Sequence, residues 1–216
     1  MKFKFLKSTL VGLVISSTCF INMANAGLIS ISNAGFEDTV TSTWIPNVIQ
    51  GWSISGGGAG TFNPAGTSGS GSYFGANDAT PEGVNSAYSN GGDLVQALNV
   101  NLLSGMYDFS VMVGNRWDQG LPQHQAALYA GSVLIGASSG SPANGQWSEI
   151  SFSVDVNQST NGFGEALSIQ LTNYGGGQVN WDDVSLNHTE VPEPATLAIL
   201  SLGLLGLAAR RFKKQS

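Results

Sequence analysis

The sequence is poor in positive charge and in cysteine. Of its 8 Lys and Arg residues, only Arg116 lies within residues 27–190, a segment that we call the body. The body contains all of the chain's 14 Asp and Glu residues except Glu193, which leaves it with a strong negative charge. A surface this acidic repels phosphate, so nucleic acid is excluded as a partner. The only cysteine, Cys19, lies before the body, which therefore cannot contain a disulfide.

Motifs of common catalytic and metal sites are also missing. The sequence contains no HExxH, no CxxC and no EF-hand loop. Its Gly-rich stretches lack the GxGxxG spacing that phosphate binding uses. A glycosidase needs two opposed carboxylates, and no Asp or Glu is singled out by a motif. We therefore predict that the protein is not an enzyme, with a secreted glycan-active enzyme as the less favoured alternative.

The remaining bases lie at the two ends of the chain. At the N-terminus, Lys2, Lys4 and Lys7 precede an apolar stretch at residues 10–21, and Ala24-Asn25-Ala26 follows it. This order predicts a secretory signal peptide over residues 1–26, with cleavage between Ala26 and Gly27. The apolar stretch is short for a membrane span, so an uncleaved N-terminal anchor is the less favoured alternative.

The C-terminal end, residues 191–216, has three parts in order. The motif Val191-Pro192-Glu193-Pro194 is followed by an apolar stretch at residues 195–209 and then by a basic cluster. This order resembles the PEP-CTERM sorting signal of Gram-negative bacteria. The resemblance implies a transmembrane helix over residues 195–209, transient insertion in the inner membrane and an exosortase-type membrane protease as partner. A plain C-terminal membrane anchor is the alternative.

The body shows the two-residue periodicity of half-buried strands. Apolar residues alternate with polar ones at residues 107–113, 150–156 and 167–171, and Gly-rich segments separate the runs. Shorter candidate strands lie at residues 48–54, 94–100, 125–129 and 133–135, whereas residues 56–71 are expected to form a long loop. The pattern predicts one all-β domain, an antiparallel β-sandwich or jelly roll.

The apolar face changes parity within residues 179–186. Val179 and Trp181 lie at odd positions, whereas Val184 lies at an even one. Such a strand must bulge at Asp182-Asp183. Two adjacent carboxylates repel each other unless a cation or hydrogen-bond donors neutralise them, and calcium prefers oxygen ligands. The alternative is a pair of solvated aspartates near a strand end.

Short motifs occur in order along nearly the whole body. They are Asn33-Ala34-Gly35-Phe36-Glu37, Gly51-Trp52, Leu94-Val95-Gln96-Ala97-Leu98, Gly105-Met106-Tyr107 and Val179-Asn180-Trp181-Asp182-Asp183-Val184. This order is similar to galactose-binding-like jelly rolls, notably the carbohydrate-binding modules of glycanases. The resemblance implies a structural Ca²⁺ that ties the N-terminal segment to the last strand. Its implied ligands are Glu37 and Asp183, with Asp182 and Asn33 as further candidates.

The loop at residues 115–120 combines an indole, the body's only base and a carboxylate. Arg116, Trp117 and Asp118 together offer what a weak sugar site requires, an aromatic face with polar groups around it. Tyr88 and Tyr174, which also lie in Asn- and Gly-rich loops, are further candidate ligand-binding residues. Alternatively, Arg116 pairs with a nearby Asp to order the loop, and Trp117 packs over the edge of the sandwich.

These features together predict an exported protein of a Gram-negative bacterium. We expect it in the cell envelope, at the cell surface or in the extracellular matrix. Its predicted role is non-catalytic, binding or embedding in extracellular polysaccharide. A structural or adhesive coat component without specific sugar binding is the second hypothesis.

Overall fold

Residues with alternating apolar and polar character form the strands of two packed sheets. The computed structural model describes residues 26–67, 73–75 and 78–190, which belong to one compact unit. The predicted signal peptide up to residue 25 and the sorting signal from Val191 lie outside these described residues.

The first sheet has seven strands. With the strands numbered in chain order, they are β1 (Ala26–Leu28), β2 (Trp44–Pro46), β4 (Ala59–Phe62), β5 (Ser86–Ser89), β7 (Gly105–Asn115), β10 (Gln146–Val156) and β12 (Val179–Thr189). Their spatial order is β10-β7-β12-β5-β4-β2, and β1 also pairs with β12.

The second sheet has five strands. They are β3 (Ser53–Ser55), β6 (Gly92–Asn101), β8 (His124–Ala130), β9 (Val133–Ser138) and β11 (Ala166–Asn173), in the spatial order β3-β6-β11-β8-β9. A single helical turn, α1 (Pro64–Thr67), follows β4. Every strand pair is antiparallel, so the prediction of an all-β antiparallel sandwich is confirmed.

The core lies between the two sheets and is built from one face of each strand. Tyr107, Phe109 and Val111 of β7 are buried there, and Leu167 to Leu171 of β11 contribute alternate residues from the other sheet. Trp181 of β12 is fully buried and meets the ring of His124 edge-on, with the ring centroids 5.6 Å apart. The alternation read from the sequence therefore marks the core face.

Two segments differ from the expectation. Residues 48–54 were expected to be a strand, but only Ser53–Ser55 is extended. Asn47 and Gly51 take positive φ angles and the Trp52 N–H donates to the carbonyl of Ile49, so the chain turns there. Residues 56–71 were expected to be a loop, yet they contain β4 and α1.

Glycine explains why the sequence signal for β4 is weak. A Cβ at Gly60 would lie 2.1 Å from the carbonyl oxygen of Ile45, on the paired strand β2. This close backbone approach requires a residue without a side chain, so an apolar alternation cannot be read there.

The predicted bulge in β12 is confirmed. The register of β12 against β7 shifts between Asp182 and Ser185, and Asp183 has a φ of 48°. The bulge divides β12 along one edge: Val179 to Trp181 pair with β5, whereas Asn187 to Thr189 pair with β1. The first described strand, β1, therefore pairs with the C-terminal end of the last one, β12.

Among residues 26–67, 73–75 and 78–190, no helix has the length and apolar character needed to cross a membrane. The helix predicted over residues 195–209 lies outside this part of the chain.

Candidate functional site

A pocket lies on the face of the seven-stranded sheet that points away from the core. Ala87 of β5 is buried between the sheets, so its neighbours Ser86 and Tyr88 face the other way. The pocket has a volume of about 270 Å³. We call it the aromatic pocket, and it is lined by Trp44, Phe62, Thr67, Tyr73, Tyr88, Asn90, Arg116 and Gln178.

Strand pairing brings the aromatic residues together. Trp44 of β2 lies opposite Phe62 of β4, and Gly60 of β4 lies opposite Tyr88 of β5. The ring of Tyr73 meets that of Phe62 edge-on, with the centroids 5.6 Å apart. Phe62 and Tyr88 belong to a second apolar cluster, separate from the main core, and Tyr73 packs against it.

The guanidinium of Arg116 lies over two of these rings. Its central carbon is 4.8 Å from the centroid of Phe62 and 4.2 Å from that of Tyr73. Cations are attracted to the face of an aromatic ring, so the stacking holds the side chain in place. The long Arg116 side chain therefore forms part of the pocket wall and is only 11% exposed.

Hydrogen bonds hold Arg116 from the other side. Its Nε and Nη2 donate to the two carboxylate oxygens of Asp118, at 3.1 and 2.9 Å, in a bidentate ion pair. Its Nη1 donates to Oε1 of Gln178 at 2.8 Å, and Nε2 of Gln178 donates to Oδ1 of Asn90 at 2.9 Å. The result is a continuous polar chain along one side of the aromatic pocket.

Tyr88 contributes a hydroxyl that has no hydrogen-bond partner among the described residues. The side chain is 6% exposed, and its burial raises the pKa of the phenol above the usual value. Tyr88 therefore stays neutral at physiological pH and can donate a hydrogen bond to a bound molecule.

The predicted ligand-binding residues divide between three places. Arg116 and Tyr88 line the aromatic pocket, and Asp118 binds Arg116. The side chain of Trp117 is 53% exposed and does not line this pocket, although the backbone N–H of Trp117 donates to the carbonyl of Tyr73. Tyr174 lies in a separate depression beside His124, where its hydroxyl donates to Oε1 of Gln125 at 3.3 Å.

Sequence reasoning missed most of the pocket wall. Trp44, Phe62, Tyr73 and Gln178 come from distant positions and meet only because β2, β4, β5 and β12 are neighbours in the sheet. No local motif joins them, and Phe62 and Tyr73 lie in or beside the Gly-rich stretch assigned to a loop. Of the residues that line the pocket, only Arg116, as the single base of the body, and Tyr88, in an Asn- and Gly-rich segment, carried a signal.

The residues expected to bind calcium surround the bulge in β12. Glu37 accepts hydrogen bonds from the backbone N–H groups of Val84 and Asn85, at 2.8 and 2.7 Å, and from the Asn85 side chain. Asn33 accepts from the N–H of Asp38 and donates to the carbonyl of Gln50. Both side chains thus already have protein partners.

Asp182 and Asp183 differ sharply in environment. Asp182 is fully buried and accepts from the backbone N–H groups of Glu82 and Asp183, at 3.0 and 2.8 Å, whereas Asp183 is exposed. Burial raises the pKa of Asp182 to about 8, helped by repulsion from Glu82 and Asp183. Burial, followed by repulsion from Glu37 and Asp183, also raises the pKa of Glu82.

Acidic side chains therefore gather at the bulge, but not in the form of a ready metal site. Within the described segments, no three acidic, His or Cys side chains converge closely enough to hold a metal ion. Calcium binding by Glu37, Asp183, Asp182 and Asn33 stays a prediction.

Comparison with known proteins identifies two regions of this chain. The sequence model of a family described as HpiC1 cyclase matches residues 27–187, and the PEP-CTERM protein-sorting motif matches residues 190–214. A search among curated proteins finds no match.

Several solved structures share the fold. A cyclase from Fischerella sp. TAU aligns with a TM-score of 0.68 at 23% identity, over 78% of this chain and 100% of its own. The Stig cyclase Fisc from Fischerella sp. TAU, in complex with (3Z)-3-(1-methyl-2-pyrrolidinylidene)-3H-indole, gives 0.67 at 24% identity, over 78% and 100%. A cyclase from the same organism in complex with 4-(1H-indol-3-yl)butan-2-one gives 0.66 at 22% identity, over 77% and 100%.

The family match corrects two predictions. The body was expected to be a non-catalytic protein that binds or embeds in extracellular polysaccharide, and not an enzyme. Both predictions are wrong, because the family that matches residues 27–187 is a cyclase family. The error came from treating the absence of catalytic sequence motifs as evidence against catalysis.

Proposed function

Because this chain belongs to the HpiC1 cyclase family, we propose that its body is a cyclase that closes a ring within a small, flat substrate held in the aromatic pocket. The observation that carries the proposal is the combination, in one pocket, of aromatic walls with the Tyr88 hydroxyl, which has no hydrogen-bond partner among the described residues.

The size and lining of the pocket suit a small aromatic substrate. Its volume of about 270 Å³ lies near the lower end of ligand pockets, which span about 300–1,000 Å³. Rings stack favourably on other rings, and Trp44, Phe62 and Tyr73 offer such faces. The indole compounds named in the two Fischerella cyclase complexes are flat molecules of this kind.

Ring closure is a reaction that a pocket of this type favours. Both reacting ends belong to one molecule, so holding the folded conformation removes much of the entropic part of the barrier. Tyr88 can lend its proton or a hydrogen bond to the atom on which charge develops. A proton lent in this way returns to the phenolate after the new bond forms, so substrate and product have the same composition.

Export follows from the C-terminal end of the chain. The PEP-CTERM motif at residues 190–214 implies exosortase-type processing and an exported, cell-surface-associated protein of a Gram-negative bacterium. We propose that residues 1–26 act as the signal peptide for this export and that cyclisation takes place outside the cytoplasm.

The test compares Tyr88→Phe with the parent protein on indoles that carry an unsaturated side chain. We expect the parent to yield a product of unchanged mass and altered retention in liquid chromatography–mass spectrometry. Tyr88→Phe should lower kcat at least about a hundredfold, as loss of an acid–base group does, and leave KM within a few-fold. Tyr174→Phe, in the separate depression, is the matched control and should keep parental activity. Equal rates for parent and Tyr88→Phe would remove Tyr88 from the reaction, and absence of any isomerised product would overturn the cyclase proposal.

A further inference from the structure

The hydrogen bonds between Arg116, Gln178 and Asn90 determine which polar atoms on this side of the aromatic pocket are free to bind a ligand. We call this side of the pocket the wall. A guanidinium can only donate hydrogen bonds, so the Gln178 atom 2.8 Å from Arg116 Nη1 is the oxygen, Oε1. Nε2 of Gln178 then faces Asn90, and the atom it meets at 2.9 Å is the oxygen, Oδ1. The orientation of each amide is thus set by its neighbour, and Nδ2 of Asn90 has no partner among the residues that the structure describes.

The polar groups of this wall that lack a partner among the described residues are therefore N–H donors. Arg116 has five N–H groups, and its bonds to Asp118 and Gln178 leave one on Nη1 and one on Nη2 without a partner in the described part of the chain. Each acceptor oxygen of this wall already receives at least one hydrogen bond: both carboxylate oxygens of Asp118, Oε1 of Gln178 and Oδ1 of Asn90. A ligand that covers the wall without supplying acceptors leaves these N–H groups unsatisfied, which costs binding free energy.

The wall carries no net charge. Asp118 lies 2.9 Å from Arg116 and neutralises it, and Asn90 and Gln178 are uncharged. A negatively charged ligand therefore gains no net attraction from the wall, and it would also meet the acidic body.

Building on the proposed function, we infer that the aromatic pocket selects substrates whose flat ring carries an uncharged hydrogen-bond acceptor, such as a ketone oxygen, directed at the Arg116–Gln178–Asn90 wall. The rings bind the flat part of the molecule, and the wall sets the identity and the position of its polar group. The wall would thereby decide which end of the substrate enters the pocket.

The test uses three indoles of similar size that differ in one group. They are 4-(1H-indol-3-yl)butan-2-one, which has a ketone, 3-butylindole, which has a methylene in its place, and 3-(1H-indol-3-yl)propanoate, which has a carboxylate. Binding to the full chain is measured by isothermal titration calorimetry. We expect the ketone to bind about tenfold more tightly than 3-butylindole and more tightly than the propanoate.

Variants of the wall separate charge from hydrogen bonding. Asp118→Asn leaves Arg116 with its charge, so the propanoate should gain about tenfold in affinity relative to the ketone. Asp155→Asn removes one negative charge from an exposed position in β10, away from the pocket, and should leave the ratio unchanged. Gln178→Leu removes the link to Asn90 and should reduce the preference for the ketone over 3-butylindole.

Equal affinity of the parent for the ketone and 3-butylindole would overturn this inference while leaving the proposed cyclase standing, since the rings alone would then hold the ligand. If Asp118→Asn does not change the ratio of propanoate to ketone affinity, the inference is likewise overturned and the proposed cyclase still stands. Absence of binding by all three indoles would overturn the proposed function for this pocket, and the inference with it.

Discussion

At the residue scale, Asp182 shows how burial changes the chemistry of a side chain. It is fully buried at the bulge of β12, and its two neighbouring acids repel a second negative charge. Among the described residues, its carboxyl oxygens accept from two backbone N–H groups, which do not offset the loss of water. The carboxyl group is therefore neutral in the folded protein at pH 7.

This burial predicts a specific pH dependence of stability. The pKa of Asp182 is about 8 in the folded protein and 3.8 for an aspartate outside the folded environment, so the folded state holds the proton more tightly than the unfolded chain. The stabilisation is complete below about pH 4 and is lost as pH rises towards 8, by at most about 1.4 kcal/mol per pH unit. We expect the free energy of unfolding to fall over this range, measured by urea denaturation in the presence of chelator.

The matched variant is Asp182→Asn, which cannot titrate. It will lose one hydrogen bond, because its Nδ2 cannot accept from a backbone N–H, so its absolute stability should be lower at acidic pH. Its stability should nevertheless depend less on pH than that of the parent. Parallel pH curves for the two proteins would show that Asp182 does not titrate with a raised pKa.

At the element scale, the short strands β2 and β4 position one side of the aromatic pocket. Trp44 and Phe62 face each other across this pair, and the pair closes only because Gly60 has no side chain. Strand pairing here therefore determines the shape of the pocket as well as the edge of the sheet.

Gly60→Ala tests this role. The added Cβ would lie 2.1 Å from the carbonyl oxygen of Ile45, a contact that forces β2 away from β4. We expect a loss of about 1–3 kcal/mol of stability, as for other overpacked sites, and weaker binding of 4-(1H-indol-3-yl)butan-2-one. Gly164→Ala is a control for glycine replacement in general, since no atom lies near its added Cβ, although its φ of 82° adds strain. Unchanged ligand affinity in a folded Gly60→Ala protein would show that the β2–β4 pair does not shape the pocket.

The bulge of β12 is the second element with a measurable consequence. Four acidic side chains gather there, those of Glu37, Glu82, Asp182 and Asp183. We predict that calcium stabilises the protein by about 2.7 kcal/mol at a hundredfold excess over its dissociation constant. Chelator should lower the melting temperature, and Asp183→Asn should reduce that response, because Asn tolerates the positive φ of this position but lacks the charge. Elemental analysis without bound metal, together with a melting temperature that chelator does not change, would contradict the calcium prediction.

At the scale of the whole molecule, the sorting motif follows β12 directly in the sequence, and the aromatic pocket lies at the other end of that strand. Gln178, immediately before β12, lines the pocket, and Thr189 ends β12 just before the motif at residues 190–214. The strand has 11 residues, which corresponds to about 36 Å at about 3.3 Å per residue. Removal of the tail should therefore leave the pocket intact.

Processing gives a prediction at this scale. Replacing Pro192, Glu193 and Pro194 with Ala should block cleavage and leave a longer, membrane-retained protein, whereas the parent should lose its C-terminus. Mass spectrometry of the exported protein measures both ends, and we expect the parent to begin at Gly27. Exported parent protein that still ends at Ser216 would contradict the sorting interpretation.

The sequence by itself determined the strand periodicity, the bulge and the C-terminal sorting motif. Each depends on local order: alternation at residues 107–113 marks a core face, a change of parity at Asp182-Asp183 requires a bulge, and motif, apolar stretch and basic cluster follow one another. These features could be predicted because neighbouring residues carry all of the signal.

Only the tertiary structure decided where the candidate site lies. Trp44, Phe62, Tyr88 and Arg116 are far apart in the chain, and pairing between strands that are not consecutive brings them to one pocket. The same holds for Asp182, whose burial depends on the segment around Glu82 that covers it. Contacts between distant segments leave no local pattern, so the sequence indicated Arg116 and Tyr88 but not Trp44, Phe62 and Tyr73 beside them.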